Sequence, residues 1–262
     1  MELHPAIATD LLFDGYQGRV ECFPQYWAVT LPEQPECQFG NYLLLDHPPT
    51  EYDRDWLERA FDQLIGSNPL IRHRTFLWSH THDNPLQLGS FVSAGYRYME
   101  CLALALQRGQ LRAPSGLAPL PVRPFEPADW SDWLAFELAE HPSSRQRPAY
   151  QHYLQARAHL YQSMIADGLG QWWGMWQDEL LVASCGLFFT PEHGRFQLVR
   201  TREGWRNRGL CRHLLHEVAR RGLERVDTLV IVADIHYHAL GIYRRLGFEP
   251  TTRIATLCRA WK

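Results

Sequence analysis

The order of the predicted elements points to an α/β or α+β fold, and three stretches carry that reading. Leu229-Val-Ile-Val232 is apolar without alternation, as in a strand buried on both faces. Leu210, Leu214 and Val218 fall four apart, with Leu215 and Ala219 beside them, which makes the stripe of a helix that packs on a sheet. A turn containing glycine joins a strand-like segment to that helix, so strand, turn, helix, strand, helix and strand follow in sequence.

In the N-terminal half, Phe39-Gly-Asn-Tyr-Leu-Leu-Leu45 reads as a buried strand, Trp56–Ile65 as an amphipathic helix and Met99–Leu106 as a strand. Three prolines and a glycine within Arg112-Ala-Pro-Ser-Gly-Leu-Ala-Pro-Leu-Pro121 break any helix or central strand. The chain therefore divides into 1–112, a linker at 113–118, and 119–262. Beyond the linker, Pro121–Phe125 reads as a strand. Ala128–His141 is helical, with Trp130, Trp133, Leu134 and Leu138 on one face and Asp129 at its start as a cap. A second helix spans Ala149–Ala166. Strands follow at Gly170–Gln177, Glu179–Thr190 and Gly194–Thr201, with turns at Asp178 and Pro191–His193. The striped helix covers Leu210–Arg221 and ends at Gly222, read as a C-cap. A strand at Thr228–Ala233, a short helix at His238–Leu246 stopped by Gly247, and a strand at Phe248–Cys258 complete the order. Trp172, Trp173 and Trp176 are read as core or domain packing ahead of a substrate cleft.

The 262 residues are 45% hydrophobic and 21% charged, which suits a globular protein of one large or two smaller domains. Net charge is −3, and 26 basic residues nearly balance 29 acidic ones, so no field favours nucleic acid. No apolar run matches a membrane span, and the opening Met-Glu-Leu-His-Pro lacks the pattern of a secretion signal. Cysteines 22, 37, 101, 185, 211 and 258 are scattered without a CxxC pair, so reduced thiols in the cytoplasm are expected. His80-Thr-His82-Asp83 has metal-binding side chains but no partner motif, and reads as a solvated loop. The pairs Arg220-Arg221 and Arg244-Arg245 read as solvated helix faces.

Chemistry concentrates in Val199-Arg-Thr-Arg-Glu-Gly-Trp-Arg-Asn-Arg-Gly-Leu-Cys-Arg-His-Leu-Leu215. A strand ends, a polar turn with two glycines follows, and an amphipathic helix begins. The first amides of a helix lack internal partners and its dipole is positive there, so the turn suits a phosphate or pyrophosphate. Gly209 would let backbone approach the oxygens, and Arg206, Arg208 and Arg212 add positive charge. A nucleotide-binding reading fails for want of a Gly-Lys-Ser/Thr sequence after the turn.

Arg206-Asn-Arg-Gly209-Leu-Cys211 resembles the acyl-CoA signature of the GNAT superfamily, Gln/Arg-x-x-Gly-x-Gly/Ala. The resemblance continues in Leu229–Val232 and in Ala239-Leu-Gly-Ile-Tyr243-Arg-Arg-Leu-Gly-Phe248, with Arg206 and Tyr243 37 positions apart. It implies a GNAT-like mixed central sheet flanked by helices, and an N-acetyltransferase that moves an acetyl group from acetyl-CoA, or another acyl-CoA, to a primary amine. It also implies that Val199, Arg200 and Thr201 offer backbone groups to pantetheine amides, and that Arg206, Asn207, Arg208, Gly209, Leu210 and Cys211 wrap the pyrophosphate. Tyr243 would protonate the leaving thiolate, which a phenol protonated at neutral pH can do. Cys211 replaces the last small residue of the signature, and His236, expected near the pantetheine arm, stands where the family often has Asn. These departures keep a non-catalytic acyl-CoA sensor as the alternative. Glu137, Asp178, Glu203, His236 and His238 are all candidates for a general base, and no spacing selects one. The partner expected is a small-molecule or peptide amine, with no metal, nucleic acid or membrane, and with a homodimer open as an assembly.

Phe91-Val-Ser-Ala-Gly95-Tyr96 echoes Tyr243-Arg-Arg-Leu-Gly247-Phe248, with Phe91 at the tyrosine position. Asp46-His-Pro-Pro-Thr50 is too rich in proline to present consecutive amides to a phosphate. The N-terminal half therefore resembles a GNAT copy that has lost its cofactor seat, with an unrelated α+β domain as the other reading.

Overall fold

Three strands followed by helix, strand, helix and strand occur twice along the chain, after one helix in the first run and after a short strand and two helices in the second. The computed structural model describes residues 3–81, 86–116, 120–140, 147–236 and 239–261. The first run comprises α1 (Pro5–Gln17), β1 (Arg19–Cys22), β2 (Tyr26–Thr30), β3 (Tyr42–Leu45), α2 (Arg54–Leu64), β4 (His73–His80), α3 (Gly89–Ser93) and β5 (Arg97–Gln107). The second comprises β6 (Val122–Pro124), α4 (Asp129–Ala139), α5 (Arg147–Ala166), β7 (Gly170–Gln177), β8 (Leu180–Phe189), β9 (His193–Thr201), α6 (Leu210–Gly222), β10 (Thr228–Asp234), α7 (Leu240–Arg245) and β11 (Glu249–Ala260). The mixed sheet with flanking helices that the sequence predicts is present.

Two compact units form, and they interleave in sequence. One holds residues 1–103, 232–237 and 250–262; the other holds 104–231 and 238–249. In the first, the strands run β1-β2-β3-β4-β11, followed by β5 and the end of β10; in the second they run β6-β7-β8-β9-β10, followed by the end of β5. Among the described residues, β3 pairs in parallel with β4 in the first unit and β9 with β10 in the second.

The core of the first unit gathers Leu43, Leu57, Phe61, Phe76, Trp78, Phe91, Tyr96, Ala255 and Leu257. Its β4 was not foreseen, and His80 is not in a solvated loop. It ends β4 with 7% exposure and contacts Glu100 Oε1 through Nε2 at 3.1 Å. A strand that buries His73, Thr75 and His80 hides its alternation, because those polar side chains find partners elsewhere. His82 and Asp83 lie outside the described residues.

In the second unit, β8 is covered on both faces. Ser184, Gly186 and Phe188 point to α4 and α5, where Trp172 packs among Trp130, Trp133 and Tyr161 at 4.7–5.6 Å between rings. Leu187 points the other way, towards α6. Trp172 is fully buried, as the packing reading requires. Gly222 is not a left-handed cap. It is the last helical residue, and a Cβ there would sit 2.6 Å from Leu187 Cδ2, so close packing explains the glycine. Asp129 does not cap its own helix either. Its carboxylate accepts the Glu126 N–H at 2.6 Å and takes both terminal nitrogens of Arg123 at 2.6 and 2.8 Å, a pairing favoured over an exposed amide. On α6, Arg220 and Arg221 pair with Glu217 at helical spacing.

The echo between the halves extends to the backbone. The Tyr96 N–H bonds the Phe91 carbonyl at 3.0 Å, and the Phe248 N–H bonds the Tyr243 carbonyl at 3.1 Å. Gly95 and Gly247 share left-handed φ values of 89° and 103°, so each short helix closes on the same glycine-dependent cap.

Candidate functional site

The site is built first by an irregularity in β9. Its pairing with β8 puts Ser184 opposite Arg200 and Gly186 opposite Gln197, so Leu198 and Val199 together face Cys185. Leu198 takes a left-handed φ of 42° at this β-bulge, a conformation a non-glycine residue adopts only under constraint. Among the described residues, the register between β9 and β10 runs only from His193 to Arg195. Val199, Arg200 and Thr201 therefore lie on a stretch held by β8 on one side and beyond the β10 ladder on the other. An extended ligand bearing amides can add to such an edge.

Next comes the turn. A single 3-10 turn at Glu203–Trp205 is followed by extended Arg206, and then by Asn207 and Gly209 with φ of 63° and 81°. The first intrahelical bond of α6 runs from the His213 N–H to the Gly209 carbonyl at 3.1 Å. The amides of Leu210, Cys211 and Arg212 precede it, and no side chain caps the helix. Three converging N–H groups at the positive end of a 13-residue helix form an anion seat. A pyrophosphate fits this geometry.

The arginines do different work than their number suggests. Arg206 donates Nε to the Thr201 carbonyl at 3.2 Å and a terminal nitrogen to Glu140 Oε2 at 2.7 Å. Glu140 also accepts the Glu203 N–H through Oε1 at 3.1 Å, so this side chain pins the turn from both ends. Arg208 lies over the Trp205 ring at 4.6 Å and bonds the Gly204 carbonyl. Arg212 donates to the Ser115 carbonyl at 3.0 Å. Glu140 was missed in the sequence because its partners are more than sixty residues away.

Tyr243 lies on α7, which packs against α6; it is 3% exposed, with its ring 6.3 Å from Phe248. The Cys211 thiol is pushed up to about 12 by burial, so it stays neutral in the first turn of α6. His236 is exposed in the turn after β10, where its N–H bonds Asp234 Oδ1 at 2.7 Å. It belongs to the first unit, whereas residues 199–211 and Tyr243 belong to the second.

Among the base candidates, Asp178 and Glu203 are exposed on turns and His238 lies outside the described residues. Glu137 differs. It is 1% exposed on α4, and its Oε2 meets Arg200 Nε at 3.1 Å. Burial pushes its carboxyl up to about 7, with Glu140 adding to the rise and Arg200 opposing it. Among the described residues, Glu137 Oε1 has no hydrogen-bond partner, and neither has the buried Ser184 Oγ across from Arg200. No group of three or more His, Cys, Asp or Glu side chains is arranged for a metal among the described residues. No helix there is long and apolar enough to cross a membrane.

Residues 130–248 match the model of the "Acetyltransferase (GNAT) family". Among curated proteins, none matches the chain in sequence. Solved structures share its fold. A GCN5-related N-acetyltransferase from Kribbella flavida is 16% identical, with a TM-score of 0.70 over 100% of this chain and 97% of that one. A conserved protein of unknown function from Staphylococcus epidermidis is 14% identical, with a TM-score of 0.77 over 94% and 95%. A tandem GNAT protein from the clavulanic acid biosynthesis pathway is 13% identical, with a TM-score of 0.62 over 90% and 79%.

Proposed function

We propose that the chain transfers an acetyl or related acyl group from acyl-CoA to a primary amine by direct attack, a reading supported by the match of residues 130–248 to the acetyltransferase (GNAT) family model. The observation that carries this reading is the uncapped start of α6, reached through two left-handed residues from the end of a bulged strand. On this reading, Leu210–Arg212 amides hold the pyrophosphate and the 199–201 edge aligns the pantetheine arm. The acyl donor supplies the reactive thioester. Holding the amine beside it provides most of the rate gain. The acceptor is a small-molecule or peptide amine. The catalytic domain is taken as 119–262, and the N-terminal half as a copy without a phosphate seat.

Adding acetyl-CoA should raise the melting temperature, because a ligand selective for the folded state stabilises it by about 2.7 kcal/mol at 100 times Kd. Calorimetric titration should give one site per chain. Gly209→Glu should abolish both signals, since it brings an anion to the seat and strains a φ of 81°. A flat response from wild type in both experiments would overturn the reading, and two equivalent sites would overturn the account of the N-terminal half.

Tyr243 is proposed to protonate the departing thiolate. Tyr243→Phe keeps the ring and removes the donor, as Phe91 does in the matching position. Thiolates leave well unaided, so the expected loss in kcat is about 10²-fold, the low end for general acid help, with acetyl-CoA affinity unchanged. Thiol release against a panel of amines measures it. Wild-type turnover in the Phe variant would make Tyr243 a packing residue.

A further inference from the structure

The ion pair with Arg200 satisfies only half of the buried Glu137 carboxyl. A charge-bearing group with 1% exposure normally has every oxygen satisfied, because an unmade hydrogen bond in the interior is costly. Here Oε2 is held by Arg200 Nε at 3.1 Å while Oε1 accepts nothing among the described residues. A second orphan lies nearby. Ser184 stands directly opposite Arg200 on β8, so the two side chains leave the same face of the sheet, and this face is the one α4 covers. Ser184 Oγ is buried and also without a partner. Two polar atoms without a partner among the described residues thus lie on one face, at the residue whose backbone belongs to the ligand edge of β9, and each can still take a hydrogen bond from a polar group outside the chain.

We propose that Glu137 Oε1 receives the proton of the attacking amine, with Arg200 fixing the carboxylate through Oε2 and Ser184 Oγ on the same face of the sheet. This rests on the acyltransfer reading above and names the base it lacks. As the amine nitrogen forms its bond to the acyl carbon and the C–S bond breaks, Glu137 takes one N–H proton and Tyr243 gives one to the sulfur. Amide and thiol result; Glu137 then loses its proton to solvent and Tyr243 regains one, which balances the cycle. Arg200 is a positioning residue, and it joins the two reactants' sites: its backbone lies on the acyl-donor edge and its side chain orients the base. Among the described residues, the charged and titratable groups acting on Glu137 are Arg200 from β9, Glu140 just after α4, and Tyr150 and Tyr161 from α5. With the carboxyl poised at about 7, the rate should rise with pH through neutrality as Glu137 ionises.

The test is the pH dependence of kcat/KM for thiol release by full-length wild type, Glu137→Gln and Glu137→Asp, using an amine that wild type acetylates. Glu137→Gln should lose about 10²–10³-fold and its neutral limb should vanish. Acetyl-CoA affinity by calorimetry should stay within about twofold, because the carboxyl does not contact the phosphate seat. Glu137→Asp keeps a carboxyl, so it should retain a limb at a smaller loss; it also serves if the Gln variant fails to fold. A Gln variant with wild-type rate and limb would overturn this inference alone. Should wild type acetylate no amine while binding acetyl-CoA, the acyltransfer reading falls and this role falls with it.

Discussion

Gly247→Ala is expected to lower the unfolding free energy by about 3–5 kcal/mol, a sum of backbone strain and a steric clash. Gly247 has a φ of 103°, where an L side chain is strained, and a Cβ would run into the Gln110 carbonyl oxygen. The carbonyl cannot move away cheaply. The neighbouring Arg112 N–H is bonded to the Leu246 carbonyl at 2.9 Å, so the 110–112 segment is fastened to the end of α7. Gly95 supplies the control within the same chain. Its φ is 89°, but nothing lies within 4 Å of a Cβ there. Gly95→Ala should cost only about 1–2 kcal/mol, the strain without the clash. Denaturant unfolding of both variants checks the difference. Equal losses would mean that the strap at 110–112 yields.

Glu137→Gln is expected to stabilise the protein at alkaline pH and not at acid pH. The unfolded carboxyl titrates near 4.5 and the folded one at about 7, so the folded state binds the extra proton between those limits. Stability is then undiminished below the unfolded value and falls as pH rises through the folded one. From pH 5 to 8 the loss from this group is about 2–3 kcal/mol. Gln cannot ionise and escapes it. Melting temperatures of wild type and variant should coincide near pH 5 and separate by several degrees at pH 8. Separation that is constant with pH would show that the carboxyl is ionised throughout. The same substitution should therefore gain stability and lose activity, the trade expected where a strained group serves function.

The second unit was legible in outline because its strands and helices alternate cleanly. The span Gly170–Gln177 is found unchanged, and the other elements differ from expectation by a few residues at their ends. The first unit was read less completely. Helix α1 begins on a His4 cap and buries Thr9 among apolar residues, so no clean stripe marks it. Strand β4 places Thr75 against Cys258 and His80 against Glu100, partners that only the fold makes neighbours. Within the site, the glycine turn and the tyrosine were visible as motifs, while Glu137 and Glu140 were not singled out. Helix periodicity shows which face is buried, not that a carboxylate on that face meets Arg200 or Arg206. The bulge at Leu198 left no trace, since its cause is a mismatch between two strands.

The exchange of segments between the units has a consequence for how the chain is made. Strand β11 pairs with β4 from Arg253↔His80 to Ala260↔His73, across about 180 residues of sequence. Contacts that distant close slowly, since the intervening chain must first be brought round. On the ribosome, β4 emerges long before its partner and waits with an open edge while the second run is synthesised. That interval exposes an aggregation-prone edge to neighbouring nascent chains, and it ends only when residue 260 has cleared the exit tunnel.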